Sequence, residues 1–402
     1  MYGHRPGGES PSGEEHQAIR LPDAARYFCT PAVCIRALPL VHLRIFQNHL
    51  IVLFLHVIKQ RGERRKMSVD DLWKYCTAEQ EKTMLISFCL LDGIPVKTEK
   101  YLACLYAVSN HTDRHYRSAV VKKKNGGIRK LLVPDELLGA IQKNILHHIL
   151  DGLSAADAAK AYRKGKSVVS NARCHVGAEQ IIKLDIKDFF GNITYLLVYQ
   201  YAFPTVYFPP AVRKMLAELC CCHECLPQGA PTSPAVSNLV LKSFDQYMES
   251  WCGRRGIHYT RYCDDLTFSG DFNARELKNK VRSYLQVMGF QLNEKKTRVL
   301  RRHCRQTVTG IVVNEKPQVN RDYRRNLRSE IYYCKRYGVS EHLKRTGSSK
   351  WITADGADEG RYLQHLLGKV NYVLQVNPED SYFQKAREEV RGMWRAFMAG
   401  GE

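Results

Sequence analysis

The chain lacks any long unbroken apolar run. Its most apolar stretch, residues 38–58, is interrupted by His42, Arg44, Gln47, Asn48, His49 and His56. A membrane-spanning helix needs about 20 consecutive, mostly apolar residues, so no span is expected. The first residues also lack the charged, apolar and small-residue segments of a secretory leader. Acidic residues are scarce: Asp and Glu number 40 against 61 Lys and Arg, for a formal net charge of +21. That imbalance argues against an enzyme of small neutral metabolites and fits a polyanionic partner, because each phosphate neutralised releases counterions. The basic residues cluster, at 298–303 and again at 321–328. A disulfide framework is absent as well. The 14 cysteines are scattered through apparent helices and strands of a 402-residue chain, whereas such frameworks belong to short secreted domains. Reduced thiols and a cytoplasmic location are the expectation. One cluster, Cys220-Cys221-Cys222-His223-Glu224-Cys225, has metal-ligand residue types but no second half at zinc-site spacing, and it reads as a loop.

The most informative segment is Tyr262-Cys263-Asp264-Asp265-Leu266-Thr267-Phe268-Ser269-Gly270. Two β-prone runs, 257–262 and 266–269, flank two adjacent aspartates, which predicts a hairpin with carboxylates at its turn. Asp is a common turn former, but two like charges side by side repel, and folding alone gives no reason for them. A divalent cation does, since carboxylate oxygens are hard ligands suited to Mg²⁺. A second acid, Asp185, ends the apolar run Ile181-Ile182-Lys183-Leu184. An aspartate there is costly to bury unless paired or metal-bound. Asp185 and Asp264 are expected to meet across adjacent strands, holding two Mg²⁺ ions about 4 Å apart that activate an attacking 3′-oxygen and stabilise leaving pyrophosphate. Asp188, three residues on, is expected to cap the turn or face solvent.

Taken in order, these segments resemble a reverse transcriptase, and specifically the bacterial retron enzymes. The matches begin with Tyr116 and Lys122-Lys123-Lys124-Asn125-Gly126-Gly127-Ile128-Arg129, followed by Asp185 with Phe189-Phe190. They continue with Leu226-Pro227-Gln228-Gly229-Ala230-Pro231-Thr232-Ser233-Pro234, Tyr262-Cys263-Asp264-Asp265 and Gly289-Phe290-Gln291-Leu292-Asn293-Glu294-Lys295-Lys296-Thr297. Asn171-Ala172-Arg173-Cys174-His175 fits the retron Asn-Ala-x-x-His signature, and Val308-Thr309-Gly310 fits its Val-Thr-Gly signature. The resemblance implies an α+β right-hand polymerase: fingers, a palm of antiparallel strands backed by helices, and a helical thumb. It implies metal ligation by Asp185, Asp264 and Asp265 with the Ile186 backbone beside them. Contacts to the deoxynucleoside triphosphate are implied for Lys124 (or Lys122 or Lys123), Arg129, Gln228 and Lys296. Phe190 matches the steric gate that excludes a 2′-hydroxyl, with Phe189 the core residue. Asn171 and His175 are implied to touch RNA, as are the basic thumb residues Arg324, Arg325 and Arg328. The implied partners are a structured noncoding RNA that serves as template and primer, the single-stranded DNA product joined to it by a 2′–5′ branch, and an accessory effector in anti-phage defence. The enzymatic alternative is an intron-type or diversity-generating reverse transcriptase; a noncatalytic RNA-binding scaffold is the alternative from another class. No appended nuclease or RNase H domain is expected.

Four regions follow from the pattern. Residues 1–66 are an extension that folds on the body or binds RNA, or else sequence upstream of a natural start at Met67. The resemblance favours the second, because Ser68 would cap a first amphipathic helix there. Residues 67–180 hold N-terminal helices and fingers, with strands at 118–121 and 128–133 and a helix at 135–150. Residues 181–319 form the palm, with helices starting near Ser233 and spanning 274–288. Residues 320–402 form the basic thumb, with an amphipathic helix at 362–376. No internal repeat is visible.

Overall fold

A computed structural model describes Trp73 and residues 76–122, 126–347, 350–353 and 356–399. Met67–Leu72 of the expected first helix with its Ser68 cap, the N-terminal extension and Lys124 lie outside the described residues, as do Lys123 and Asn125, while Trp73 lies in a turn. The first described helix, α1 (Ala78–Ser87), is opened by Thr77, whose hydroxyl accepts from Gln80 N while the Gln80 side chain accepts from Thr77 N. This capping box satisfies two donors that a helix start leaves unpaired. After α2 (Tyr101–Asn110), strands β1 (Tyr116–Lys122) and β2 (Ile128–Pro134) form an antiparallel hairpin with Tyr116 opposite Pro134 and Lys122 opposite Ile128. Its distal half is exposed, with Val120 and Ile128 each 62% accessible, as a projecting finger requires. Helix α3 (Glu136–His148) starts on Asp135, whose carboxylate accepts from Leu138 N, and buries Leu138, Ile141 and Ile145 on one face.

Next, α4 (Val168–Arg173) leads into β3 (Gln180–Asp185), and α5 (Pro210–Cys220), α6 (Ser233–Val240) and α7 (Lys242–Gly253) precede the hairpin of β4 (His258–Tyr262) and β5 (Asp265–Gly270). Helix α8 (Ala274–Val287) and β6 (Arg298–Arg301) follow. The strands make one antiparallel four-stranded sheet in the order β4-β5-β3-β6. Alternation along β3 sorts the residues: Ile182 and Leu184 are buried opposite Phe268 and Leu266 on one face, while Lys183 and Asp185 lie opposite Thr267 and Asp265 on the other. The short hairpin β7 (Thr307–Val308) and β8 (Ile311–Val312) closes the palm.

Helices α9 (Arg321–Tyr337) and α10 (Val339–Thr346) form the thumb with strands β9 (Ile352–Thr353) and β10 (Gly356–Ala357) and helices α11 (Glu359–Val376) and α12 (Ser381–Ala399). Asn320 caps α9 through Asp322 N. Leu327, Ile331, Leu363, Leu366, Val370 and Phe383 share one core with Val169, Ala172, Val308 and Ile311, so thumb and palm are welded through α4 and the β7–β8 turn. The fold is thus the expected α+β polymerase hand. No described helix is long and apolar enough to cross a membrane.

Candidate active site

The site lies where β3, β4 and β5 end together. Asp185 and Asp265 are direct cross-strand partners, and Tyr262 pairs with Asp265 on the other side. Asp265 therefore belongs to the strand, and the turn residues are Cys263 and Asp264, one position earlier than the sequence suggested. Cys263 has φ of +61°. Positive φ at the first residue of a two-residue hairpin turn is the type II′ pattern, normally given to glycine; holding a non-glycine there stores strain of about 1–3 kcal/mol. The Asp264 carbonyl accepts from Ile186 N at 3.0 Å, which fixes the turn against the end of β3. The Ile186 side chain is buried, and among the described residues its carbonyl accepts no hydrogen bond.

Electrostatics at this edge are unbalanced. Asp185 is 5% accessible and receives Lys296 Nζ at 2.8 Å. Asp265 has its carboxyl raised above the usual range, first by burial and then by the neighbouring Asp264 charge, with Asp185 adding to it. Lys296 is raised in turn, chiefly by its hydrogen bond to Asp185. Of the three neighbouring carboxylates, only Asp185 contacts an ammonium. Hard oxygen donors in such excess suit divalent cations of the Mg²⁺ class, which Asp185, Asp264 and Asp265 could hold with the Ile186 carbonyl beside them.

The remaining candidates surround this edge. Phe189 is buried against Phe290, with ring centroids 6.3 Å apart, while Phe190 packs edge-on at 5.2 Å and stays partly accessible. Asp188 is exposed with φ of +44°, and its carboxylate folds over Gly191, where an added Cβ would lie 2.7 Å from Oδ2. It closes the turn and does not join the acids. The Gln228 carbonyl accepts from Leu132 N at 2.9 Å, and a Cβ on Gly229 (φ +133°) would meet the Leu132 carbonyl at 2.8 Å. Only glycine lets this loop lie against the finger strand. Arg129 is exposed on β2, opposite Val121.

Several residues take places different from those expected. His175 is 1% accessible, and its two ring nitrogens lie 2.7 Å from Ser269 Oγ and 2.7 Å from Thr260 Oγ1. Burial holds its pKa down to about 3, so the ring is neutral. It ties α4 to β4 and β5 on the carboxylate face of the sheet. Asn171 is also 1% accessible. Direct RNA contact is thus not the position of either side chain. The second family signature meets the first: Thr309 (φ +47°) and Gly310 (φ +83°) form the β7–β8 turn, and Thr309 Oγ1 donates to Val168 O at 3.0 Å. The pair makes a type I′ turn. In the thumb, Arg324 is half-buried with Nη1 3.7 Å from Asp380, and Arg328 lies 4.6 Å over the Tyr382 ring. Both join α9 to α12. Arg325, 73% accessible, and Arg328, also exposed, both reach solvent, and only Arg324 is drawn inward.

Two features escaped the sequence reading. The first is Arg261, fully buried on β4 three residues before Asp264. Its guanidinium donates to Asp245 (Nε to Oδ1 2.9 Å, Nη2 to Oδ2 2.5 Å), to Asn238 Oδ1 at 3.1 Å and to the Cys263 carbonyl at 3.1 Å. A planar fork with its donors in fixed directions can do this; a lysine cannot. It thereby braces the strained turn from behind, anchored on α6 and α7. The second is an outward aromatic row on the thumb. Tyr333 stacks with Tyr337 and with His342, each at 6.1 Å, and Arg345 lies 4.9 Å over Tyr337. Tyr332, Tyr333 and Tyr337 are 57%, 46% and 46% accessible. The i, i+4 spacing of Tyr333 and Tyr337 among Lys335 and Arg336 is the signal that could have found it.

Comparison with known proteins places these features in company. The family pattern described as "Reverse transcriptase (RNA-dependent DNA polymerase)" matches residues 121–353. The chain is 32% identical over 332 residues to the retron Mx65 reverse transcriptase of Myxococcus xanthus, covering 75% of this chain and 73% of that one. It is 32% identical over 273 residues to the retron Ec86 reverse transcriptase of Escherichia coli, covering 66% and 84%. The retron Mx162 reverse transcriptase of Myxococcus xanthus is 32% identical over 326 residues, covering 71% and 62%.

Proposed function

The chain belongs to the bacterial retron reverse transcriptases, a family of RNA-directed DNA polymerases, and on that premise we propose how its own residues copy RNA and which RNA they copy. The observation that carries the reading is the pairing of Asp185 with Asp265 across β3–β5, with Asp264 in the braced turn beside them. Asp185 and Asp264 are the principal ligands for two Mg²⁺ ions, Asp265 and the Ile186 carbonyl the lesser ones. When bound, such ions activate the attacking hydroxyl and stabilise the leaving pyrophosphate. Lys296 neutralises Asp185 in the free protein and turns to the phosphates of the incoming nucleotide. Arg129, with the finger lysines, grips the triphosphate from the other side, where a guanidinium suits bidentate phosphate contact. Phe190 lies under the sugar and excludes a 2′-hydroxyl. Gln228 packs beside the nucleotide, its loop held to the finger strand through Leu132.

The template is a structured noncoding RNA encoded beside the enzyme. Synthesis starts on a 2′-hydroxyl of that RNA and yields single-stranded DNA joined to it by a 2′–5′ branch, within a system of anti-phage defence that includes an accessory effector. Helical RNA is held by shape, 2′-hydroxyl and phosphate contacts, and its loops by stacking on aromatic and guanidinium planes. The Tyr332–Tyr333–Tyr337 row with Arg325 and Arg345 offers such a surface, and the buried Asn171 and His175 together with the Thr309–Gly310 turn serve by holding the thumb to the palm. The four regions assigned from sequence stand as the working division of the chain.

The test is the chemistry of the product. DNA isolated from cells expressing the chain with its neighbouring RNA is treated with ribonuclease and then with a debranching enzyme. A 5′ end that stays attached to one RNA nucleotide until debranching supports the reading. A free 5′ end, or DNA extended from a 3′-hydroxyl, overturns it in favour of an intron-type or diversity-generating enzyme. For the sugar gate, Phe190→Val is expected to raise ribonucleotide over deoxynucleotide incorporation in primer extension. An unchanged ratio returns Phe190 to a packing role.

A further inference from the structure

A second group of metal-ligating side chains lies away from the carboxylate edge, where the linear sequence shows only half a site. Cys222 and Cys225 are paired through both backbone hydrogen bonds, Cys222 N to Cys225 O at 2.9 Å and Cys225 N to Cys222 O at 3.2 Å. In such a pair the two side chains project from the same face of the ribbon. The turn residues between them, His223 (φ +48°) and Glu224 (φ +59°), are both left-handed and neither is glycine. The missing half comes from far away in the chain. Asp113, in the turn after α2, accepts His223 N on Oδ1 at 2.8 Å, and its Oδ2 lies 3.2 Å from His223 Nδ1. One carboxylate oxygen, one imidazole nitrogen and the Cys222 sulfur lie within 4.8 Å of one another. Cys225 has its sulfur on the Cys222 carbonyl at 3.4 Å, one side-chain rotation from the group.

We infer that Asp113, Cys222 and His223, with Cys225 as the fourth ligand, form a structural zinc site that clasps the turn after α2 to the hairpin preceding Gln228. The donor types select the ion. Mg²⁺ and Ca²⁺ require oxygen ligands, and only one carboxylate converges here. Two sulfurs, an imidazole and a carboxylate are the tetrahedral donor set of Zn²⁺. Zn²⁺–ligand bonds of about 2.0–2.3 Å need the exposed Asp113 and His223 side chains to rotate in toward the buried Cys222 sulfur, on a ribbon already in place. Binding converts both thiols to thiolates and releases two protons, so charge balances without a redox step. The consequence is mechanical: Glu224 O accepts from Tyr195 N at 2.9 Å, and Leu226 N donates to Ile193 O at 2.9 Å. Fixing the hairpin therefore fixes the segment after β3 and the start of the loop that carries Gln228.

The site is tested on the full chain, reduced and stripped of metal, by titration with Co²⁺ followed by Zn²⁺. The expected result is one equivalent of Co²⁺ bound with intense visible bands of a tetrahedral centre and a thiolate charge-transfer band, bleached by one equivalent of Zn²⁺. Cys222→Ser is expected to lose roughly half of the charge-transfer intensity, since Cys225 still supplies one thiolate, and His223→Asn, which keeps a residue tolerant of positive φ, to weaken binding while leaving the far-ultraviolet circular dichroism unchanged. Cys89→Ser, an exposed cysteine elsewhere, serves as the control and is expected to bind as the parent does. Absence of stoichiometric Co²⁺ binding, or a spectrum that Cys222→Ser leaves intact, overturns the proposal and leaves a thiol–carboxylate hydrogen bond in its place.

Discussion

The acidic edge of the palm and the outer face of the thumb place charge in opposite ways. At the palm edge, Asp185 and Asp265 pair across β3 and β5 with Asp264 in the turn beside them, and burial together with the Asp264 charge raises the Asp265 carboxyl. The backbone there is strained at Cys263 and braced by a fully buried guanidinium. On the thumb, basic side chains are spread along α9 and α10, interleaved with tyrosines that stack in the open. A centre that must hold cations to within fractions of an ångström needs adjacent strands and a pinned turn. A surface that must recognise a folded polyanion needs area, exposure and repeated weak contacts. The first concentrates like charge at a cost in stability. The second leaves its charges solvated, where each costs little.

Breaking the comparison at its acidic end has the largest expected effect. Asp185→Asn or Asp264→Asn is expected to lower Mg²⁺-dependent extension by about a thousandfold or more, since metal stabilisation of the reacting oxygens contributes several kcal/mol. Primer extension measures this, and near-parent rates would remove the acids from the site. Removing the brace comes next. Arg261→Met leaves Asp245 buried without its partner, which costs about 3–5 kcal/mol of stability in comparable pairs. The paired replacement with Asp245→Leu is expected to recover much of the stability in denaturant melts but not the rate, because the Cys263 carbonyl stays unheld. Recovery of both would make Arg261 a stability residue alone.

Sharpening the comparison at its basic end calls for smaller effects. Tyr333→Ala or Tyr337→Ala is expected to weaken binding of the cognate RNA by about 1–3 kcal/mol, the range of a lost base–aromatic stack, with extension on a saturating generic template unchanged. Equal loss on both templates would mean that the row serves folding. The last prediction concerns stability and pH rather than RNA binding. His175 is held neutral to about pH 3 in the fold, against a usual value near 6.5. A depressed base contributes stability that is fully present above pH 6.5. That stability falls as the unfolded chain takes up the proton below it, by at most about 1.4 kcal/mol per pH unit. His175→Gln is expected to flatten stability between pH 6.5 and 4. An unaltered slope would place that acid sensitivity elsewhere.

The two regions also differ in how much of them can be read from sequence. The palm acids were legible because each ligand sits in a short run whose pattern violates folding preference: Asp185 in an apolar strand, Asp264 and Asp265 in a tight hairpin. Even so, the register moved Asp265 out of the turn, since only the backbone fixes which residues pair. Lys296 was legible from its run, but not its contact with Asp185. The thumb was legible as a basic region with one amphipathic helix at 362–376, yet its surface was not. Arg324 and Arg328 look alike in a basic stretch, yet packing drew Arg324 inward toward Asp380, while Arg328 stays exposed with its guanidinium laid over Tyr382 on α12. Asn171 and His175 read as contact residues, and the fold uses them as interior polar groups. Arg261 and Asp113 act through partners 16 and 110 residues away, a separation that carries no local signal.

The division of labour between the two regions is tested most directly by sequencing the nucleic acid that copurifies with the parent chain, with Asp264→Asn and with the Tyr333→Ala, Tyr337→Ala double variant. The account predicts one RNA with branched DNA on the parent, the same RNA without DNA on Asp264→Asn, and a mixed RNA population on the thumb variant. DNA on Asp264→Asn, or an unchanged single RNA on the thumb variant, would contradict it.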